Sequence, residues 1–472
     1  MDHRQNEIRI RFINLLTIIL ANLGIITSCS VKQSQEEDTK NPPNIVMILV
    51  DDLGYGDIGC YNGKNIPTPN IDRLAAEGVR FTDAHVMCSV CGPSRTALLT
   101  GRYQQRMGVY WNPDLWHQYN WGPPDSILLL PQVMKKAGYT TGHIGKWNIT
   151  PEALPYVNEC YDLMNWKGAY YPNDTGVYLG VDCPDFRIEP NGWGPPKPGV
   201  EYLTDRLTRH AIEFIENHKA EPFFLYLAYN APHTPLQADI KYKEIFKDVK
   251  DEPNRIYAGM VSSIDENIGK ILVKLADLEL DQNTIVAFTS DNGPAYWRSY
   301  DRGWPEDWPL TLIGSAGMLR GHKGQRYEGG HREPFIIRWP AELKPGQIYT
   351  KTTSTMDLFP TFYSATGYVI DENLYLDGVD LIPYIKGEKG IDPHDTLYWM
   401  THNQGAVRAG DWKLIIASDT SMQLYNLQDD LYENQDLIDE YPDIVEQLLD
   451  SWKAWNEPFP VSASEKTKFS VK

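Results

Sequence analysis

The sequence has few cysteines, an excess of acidic over basic residues, and no long apolar run. Its 472 residues include six cysteines, and 44 Lys and Arg residues stand against 63 Asp and Glu residues, which gives a net charge of −19. This acidic balance argues against binding to nucleic acid or to an anionic membrane surface. If the protein handles an anion, it therefore needs a local group of basic side chains.

The apolar stretch at residues 12–26 is too short and too interrupted for a good membrane span. Four basic residues precede it, as in a signal peptide: His3, Arg4, Arg9 and Arg11. Ile26-Thr27-Ser28-Cys29 then resembles a bacterial lipoprotein cleavage box with Cys29 as the lipidated residue. The alternative is a simple signal peptide with an incidental cysteine. Either interpretation predicts an exported protein. The lipoprotein interpretation predicts a protein in the periplasm or on the outer membrane of a bacterium, whose only membrane contact is a lipid anchor.

Several apolar runs end abruptly in polar residues. Asn44–Val50 is nearly all apolar, which is typical of a strand buried on both faces of a parallel sheet, and 284–288 is similar. Two further apolar runs of this kind lie at 222–228 and 140–145. The polar residues that follow these runs are Asp51 and Asp52, Asp291 and Asn292, His233, and Lys146. Ligands bind beyond the carboxyl ends of strands in open α/β sheets, so these residues are candidates for one site.

Asp51, Asp52, Asp291 and Asn292 offer only oxygen ligands. Adjacent carboxylates repel each other unless a cation lies between them. Oxygen ligands suit a hard divalent cation, Ca²⁺ before Mg²⁺, whereas zinc or iron would require imidazole or thiolate. Cys88 and Cys91 have CxxC spacing, but no second CxxC pair exists.

Cys91 is predicted to begin a helix. Pro93 suits a first helical turn and Gly101 can end the helix. The free N–H groups and the dipole of a helix N-terminus favour an anion there, and Arg95 lies one turn further on. Without Cys29 the cysteine count is odd, which indicates a thiol with a function of its own, while Cys160 and Cys183 could form a disulfide.

These motifs resemble those of a known enzyme family. Cys91-Gly92-Pro93-Ser94-Arg95, followed by Thr100-Gly101-Arg102, is similar to the signature of the formylglycine-dependent (type I) sulfatases of the alkaline phosphatase superfamily. Segments 51–57, 319–323 and 327–335 also resemble family motifs. The resemblance implies an α/β fold with a large mixed, mostly parallel sheet sandwiched by helices, and a smaller C-terminal antiparallel sheet plus helix. The predicted organisation is a signal peptide (1–28), a tether (29–43), a catalytic domain (44–370) and a C-terminal subdomain (371–472).

The resemblance also implies roles for individual residues. A maturation enzyme would oxidise Cys91 to formylglycine (3-oxoalanine), whose hydrate attacks sulfur and then expels sulfate through its second hydroxyl. The cation ligands would be Asp51, Asp52, Asp291, Asn292 and residue 91. Lys146 and Lys323 would neutralise sulfate oxygens, Arg95 would fix the hydrated aldehyde, and His233 would protonate the leaving oxygen, a role suited to a group that titrates near neutrality.

One position departs from the family pattern. The usual Gly-Lys-Trp-His is Gly145-Lys146-Trp147-Asn148 here, and Asn148 can bind sulfate or nucleophile by hydrogen bonds but cannot accept a proton at neutral pH. Three interpretations follow: the site uses another base, it turns over slowly, or the protein is a binder with a vestigial site.

Stretches 103–124 and 295–308 are rich in aromatic residues without a period of 2 or 3.6. They could stack on sugar faces, which favours a sulfated glycan (glycosaminoglycan, mucin or algal type) as substrate, or simply pack the loops onto the domain. Two alternative functions remain, a phosphomonoester or phosphonate hydrolase of the same superfamily and a non-catalytic glycan-binding lipoprotein.

Overall fold

The computed structural model describes residues 41–112, 122–150, 153, 155–164, 201–297, 311–369, 372–401, 404–418 and 421–458. Contacts divide the chain into Met1–Asn41 and Pro42–Lys472, and the elements below all belong to the second unit. None of the helices in the described ranges is long and apolar enough to cross a membrane. The signal peptide and nearly all of the tether lie outside these ranges, so both stay predictions.

The secondary structure alternates between strands and helices up to about residue 365 and is then mainly antiparallel. The strands are β1 (Asn44–Val50), β2 (Val79–Phe81), β3 (Ala84–His85), β4 (Thr140–Lys146), β5 (Glu159–Met164), β6 (Phe223–Ala228), β7 (Thr284–Ser290), β8 (Ala295–Trp297), β9 (Thr311–Ile313), β10 (Phe335–Arg338), β11 (Gln347–Tyr349), β12 (Thr353–Ser354), β13 (Thr396–Thr401), β14 (Gln404–Ala409), β15 (Trp412–Ser418) and β16 (Ser421–Asn426). The α-helices are Pro69–Glu77, Cys91–Thr100, Leu130–Lys136, Leu203–Asn217, Ile240–Lys243, Glu252–Asp277, Glu328–His331, Leu358–Ala365, Ile382–Ile385 and Pro442–Asn456.

The large sheet has eight strands in the order β11-β2-β10-β7-β1-β6-β4-β5. Of these eight, only β10 runs against the others, so the predicted mixed and mostly parallel sheet is confirmed. Leu49 in β1 is level with Ala228 in β6 and Thr289 in β7, and Ala228 is level with Gly145 in β4. The four predicted strand ends therefore lie side by side at one edge of the sheet.

Strand β1 is buried on both faces, as its continuous apolar sequence predicts. Val46, Ile48 and Val50 pack into a core with helices Leu203–Asn217 and Glu252–Asp277. The alternate residues of β1 pack into a second core with helices Leu130–Lys136 and Leu358–Ala365. Full burial of one such aliphatic side chain contributes about 1.5–3 kcal/mol, so the sheet gives the strand ends a rigid base.

The C-terminal part contains a four-stranded antiparallel sheet in the order β13-β14-β15-β16. Helix Pro442–Asn456 packs on it through Ile444, Leu448 and Trp452, which recur every four residues on one helix face. The predicted smaller C-terminal antiparallel sheet plus helix is thus confirmed.

Candidate active site

Cys91 is the first residue of helix Cys91–Thr100, as the sequence predicted. The helix is buried along its whole length and ends at Gly101, whose φ of 64° is the left-handed conformation that glycine adopts most readily. The side chain of Cys91 therefore lies where free backbone N–H groups and the helix dipole favour negative charge.

Four acidic and amide side chains surround this helix start. Asp51 and Asp52 follow β1 directly, and Asp52 adopts a left-handed φ of 66°. The backbone N–H of Asp52 donates to Oδ1 of Asp291 at 3.3 Å, and Nδ2 of Asn292 donates to Oδ1 of Asp52 at 2.7 Å. Ligand atoms of Asp51, Cys91 and Asp291 lie within 4.8 Å of one another. The structure thus brings the four predicted oxygen ligands together, with Asp51 and Asp291 next to the predicted nucleophile Cys91.

Three cationic side chains form the local basic group that the acidic composition required. Lys146 contacts Oδ2 of Asp51, and Nζ of Lys323 lies 2.5 Å from Oδ1 of Asp52. Nε and Nη2 of Arg95 lie 2.8 and 2.7 Å from Oδ2 of Asp291. Each of the three carboxylates therefore pairs with a different cation from a distant segment, and Nη2 of Arg95 also lies 3.9 Å from Oδ2 of Asp51.

Burial and neighbouring charges act in opposite directions on these carboxylates. Burial works to raise the pKa of Asp51, but the charges of Lys146 and His233 bring this pKa below its usual value. For Asp291, burial and the nearby Asp51 raise the pKa, and Arg95 compensates only in part. The excess of negative charge is therefore concentrated between Asp51 and Asp291, which is where a cation would stabilise the site most.

The donor set fits a hard divalent cation. Oδ1 of Asp51, Oδ2 of Asp52 and Oδ1 of Asn292 are buried and have no hydrogen-bond partner among the described residues. Unpaired buried oxygens cost free energy, and three of them from three predicted ligands match the oxygen coordination of Ca²⁺. We conclude that these residues can hold such an ion.

His233 lies beside the acidic cluster. Its Nε2 is 3.7 Å from Oδ2 of Asp52, and its Nδ1 donates to the Thr234 carbonyl at 2.6 Å. Burial lowers the pKa of His233 to about 4, because the loss of water outweighs the attraction of Asp51 and Asp52. Because burial disfavours the protonated ring, His233 needs an additional negative charge nearby to act as an acid at neutral pH.

Two asparagines lie near the nucleophile, and the sequence pointed to only one of them. Asn148 is buried two residues beyond Lys146 with a left-handed φ of 54°. Asn112 lies against the helix start: its Oδ1 accepts from the Gly92 N–H at 2.9 Å, and its Nδ2 is 3.3 Å from Sγ of Cys91. No sequence pattern links residues 21 positions apart, so Asn112 was missed.

Trp111 and Tyr296, from the two aromatic stretches, lie at the rim of this site. Trp111 is 38% exposed and lies against Gly324, and Tyr296 is 41% exposed and stacks on His322. The two residues that flank Lys323 in the sequence therefore each contact an exposed aromatic side chain. Six further aromatic residues of these stretches fall outside the described residues: Trp116, Tyr119, Trp121, Tyr300, Trp304 and Trp308. Cys183 does too, so its pairing with Cys160 stays a prediction.

A second cluster of potential metal ligands, His85, Glu328 and His331, already contains a cation of the protein itself. Nζ of Lys413 lies 2.9 Å from Oε1 of Glu328, 3.1 Å from Nε2 of His331 and 2.8 Å from Oε1 of Glu433. We therefore assign this cluster to the packing of the C-terminal sheet and not to a metal.

Comparison with known proteins agrees with the fold and the site. The sequence profile of the family described as Sulfatase matches residues 43–368. N-acetylgalactosamine-6-sulfatase of Mus musculus is 34% identical over 84% of this chain and 75% of its own length, and arylsulfatase A of Bos taurus is 31% identical over 88% and 87%. The structure titled "Crystal structure of Ps i-CgsB in complex with k-i-k-neocarrahexaose" superposes with a TM-score of 0.78 at 30% identity, covering 90% of this chain and 94% of the other.

The fold and the profile together define an α/β hydrolytic enzyme whose site is built for an anionic substrate. The chain belongs to the sulfatase family and is a sulfuric ester hydrolase.

Proposed function

We propose that the protein hydrolyses an O-sulfate ester on a carbohydrate, with formylglycine made from Cys91 as nucleophile and Ca²⁺ as cofactor. One observation carries this proposal: three cations pair with three carboxylates, two of which lie beside Cys91, and three buried oxygens of the predicted cation ligands have no hydrogen-bond partner among the described residues. The proposal includes export as a lipoprotein, modification by a maturation enzyme, and the catalytic and C-terminal domains bounded at residue 370.

Support for a carbohydrate substrate comes from the relatives and from the rim of the site. One similar sulfatase is named for N-acetylgalactosamine, and Ps i-CgsB was solved with k-i-k-neocarrahexaose. Trp111 and Tyr296 are exposed aromatic side chains that contact Gly324 and His322, the sequence neighbours of Lys323, and such side chains suit the flat sides of a sugar ring.

In the proposed reaction each residue acts on one part of the ester. Lys146 and Lys323 bind the sulfate oxygens, and Arg95 holds residue 91 and Asp291 in place. The hydrated aldehyde supplies an attacking oxygen and a second hydroxyl that allows sulfate to leave. The bound cation, held by Asp51, Asp52, Asp291 and Asn292, would polarise the sulfate. The negative charge of bound sulfate raises the pKa of His233 from its low value, so that the ring can protonate the leaving sugar oxygen.

A panel of position-defined sulfated mono- and oligosaccharides tests the proposal. The protein is produced with a formylglycine-generating enzyme, and mass spectrometry of the peptide that contains residue 91 measures the conversion. We expect sulfate release from at least one sugar. If no sugar is turned over by fully converted protein, and sulfated sugars still bind, the proposal is contradicted and a binding function takes its place.

Removal of divalent cations is expected to lower thermal stability. Because the native site binds the cation and the unfolded chain does not, Ca²⁺ at 100 times its dissociation constant stabilises the fold by about 2.7 kcal/mol. Calorimetry after EDTA treatment and after addition of Ca²⁺ or Mg²⁺ measures this effect. Asn292→Ala, which deletes one ligand oxygen, is expected to weaken the Ca²⁺ response, and an equal response in wild type and variant would contradict the assignment.

Replacement of Asn148 is expected to have a small effect on turnover. Asn148→His should change kcat by less than about threefold, because we propose that the site uses another base, and a left-handed φ is tolerated by histidine as well as asparagine. Asn148→Ala should still bind the sulfated sugar. Steady-state kinetics on the best sugar of the panel measures both. A sharp rise of kcat in Asn148→His would show instead that the natural site is slow.

A further inference from the structure

Asn112 is the feature of the site that neither the sequence motifs nor the proposed roles explain. It lies at 21 positions from Cys91 along the chain and contacts it directly. The proposed function gives the contact a chemical meaning, because Sγ of Cys91 then marks the position of an oxygen of hydrated formylglycine.

The hydrogen bonds fix the orientation of the Asn112 amide. The backbone N–H of Gly92 can only donate, so the amide atom 2.9 Å from it is the oxygen. The amide nitrogen then faces Sγ of Cys91 at 3.3 Å, while Oδ1 lies 3.6 Å from the same sulfur. Position 91 therefore meets both a donor and an acceptor from one side chain.

This donor–acceptor pair matches a geminal diol better than a thiol or a carbonyl. A hydrated aldehyde has two hydroxyl groups on one carbon, of which one can accept from Nδ2–H and the other can donate to Oδ1. A free aldehyde oxygen can only accept. The amide thus favours the hydrate, which is the form that carries out the proposed attack.

We propose that Asn112 is a positioning residue that holds the nucleophile at position 91 as its hydrate and directs the attacking oxygen. This inference rests on the proposed function. The hydrogen bond that holds Asn112 does not involve the substrate, because its donor, the Gly92 N–H, belongs to the first turn of the helix that begins with residue 91. Asn112 is thereby tied to the nucleophile and not to the ester.

Two substitutions separate this role from simple capping of the helix. Asn112→Asp keeps an oxygen for the Gly92 N–H, and its negative charge is favourable at a helix N-terminus, but it removes the N–H donor to residue 91. Asn112→Ala removes both contacts. We expect kcat to fall about 10- to 100-fold in both variants, with KM within about twofold of wild type. Asn112→Gln restores the amide on a longer side chain and should recover part of the lost kcat.

A second readout does not depend on turnover. In fully converted protein, hydroxylamine traps the free aldehyde at residue 91, and mass spectrometry of the peptide follows the oxime. We expect Asn112→Ala to be trapped faster than wild type, because its hydrate has lost both hydrogen bonds. Trp111→Ala, the control at the adjacent residue, should raise KM but keep the rate of hydroxylamine trapping within about twofold of the wild-type rate.

The outcomes are distinct. If Asn112→Asp has the kcat of wild type, Asn112 is only a helix cap and the inference fails. Equal trapping rates in wild type and Asn112→Ala also overturn it. If wild type turns over no sulfated sugar, the proposed function fails, yet faster trapping in Asn112→Ala would still support the role of Asn112 toward residue 91.

Discussion

Cys91→Ala is expected to lower kcat/KM for the sulfated sugar by about 1,000-fold or more while the protein stays folded and binds Ca²⁺. The nucleophile is lost, whereas Lys146, Lys323 and the oxygen ligands remain in place. Sulfate release measures the activity, and calorimetry with and without Ca²⁺ confirms that the site is intact.

Cys88→Ala is the matched control for this experiment. Cys88 is buried three residues before Cys91, and the two cysteines pack together with Val90. If Cys91 alone is modified, Cys88→Ala retains kcat/KM within a few-fold. Equal losses in the two variants would indicate that the CxxC pair acts as a unit, and would contradict the assignment of Cys91 as the single nucleophile.

Lys413→Met is expected to lower the free energy of unfolding by about 3–5 kcal/mol, the cost of removing one partner from a buried ion pair. Nζ of Lys413 is buried between Glu328 and Glu433, at 2.9 and 2.8 Å from their carboxylates. Methionine fills similar space but leaves Glu433 without the lysine that pairs with it, whereas Glu328 keeps Arg332, whose Nη1 lies 3.3 Å from its Oε2. Urea unfolding followed by fluorescence measures the loss.

The loss of stability in Lys413→Met should depend on pH. Burial and the charge of Glu328 raise the pKa of Glu433 to about 7 even with Lys413 present, against 4.5 as its ordinary value. Without Lys413 the folded protein holds this proton more tightly than the unfolded chain. Stability of the variant therefore falls as pH rises from about 5 to 8, more steeply than in wild type.

Two further variants identify the cause. Lys453→Met replaces a lysine whose side chain is 60% exposed, and it should change stability by less than about 0.5 kcal/mol. Glu433→Gln added to Lys413→Met removes the carboxyl group that has lost its lysine and should restore part of the loss. A double variant no more stable than Lys413→Met would show that packing, and not charge, is responsible.

The predictions that held were those that rest on local patterns. The continuous apolar run before Asp51 is sufficient to predict a strand buried on both faces, and parallel strands bring their carboxyl ends to one edge. Pro93 and Gly101 bracket a helix that begins at Cys91, and the spacing of Ile444, Leu448 and Trp452 defines the C-terminal helix. The acidic composition also required a local basic group, and the site contains one.

Other features of the site were decided only by the tertiary structure, because they depend on contacts between distant segments. The fold decides which loops pack together, and this sets two ion pairs, Arg95 with Asp291 and Lys323 with Asp52. The same packing lowers the pKa of His233 and brings Asn112 into contact with Cys91. Helix and strand periods repeat within a few residues and are therefore visible in the sequence. Burial and hydrogen-bond partners are set by residues tens or hundreds of positions away. The sequence therefore determined the sheet edge and the candidate nucleophile Cys91, and the tertiary structure decided what surrounds them.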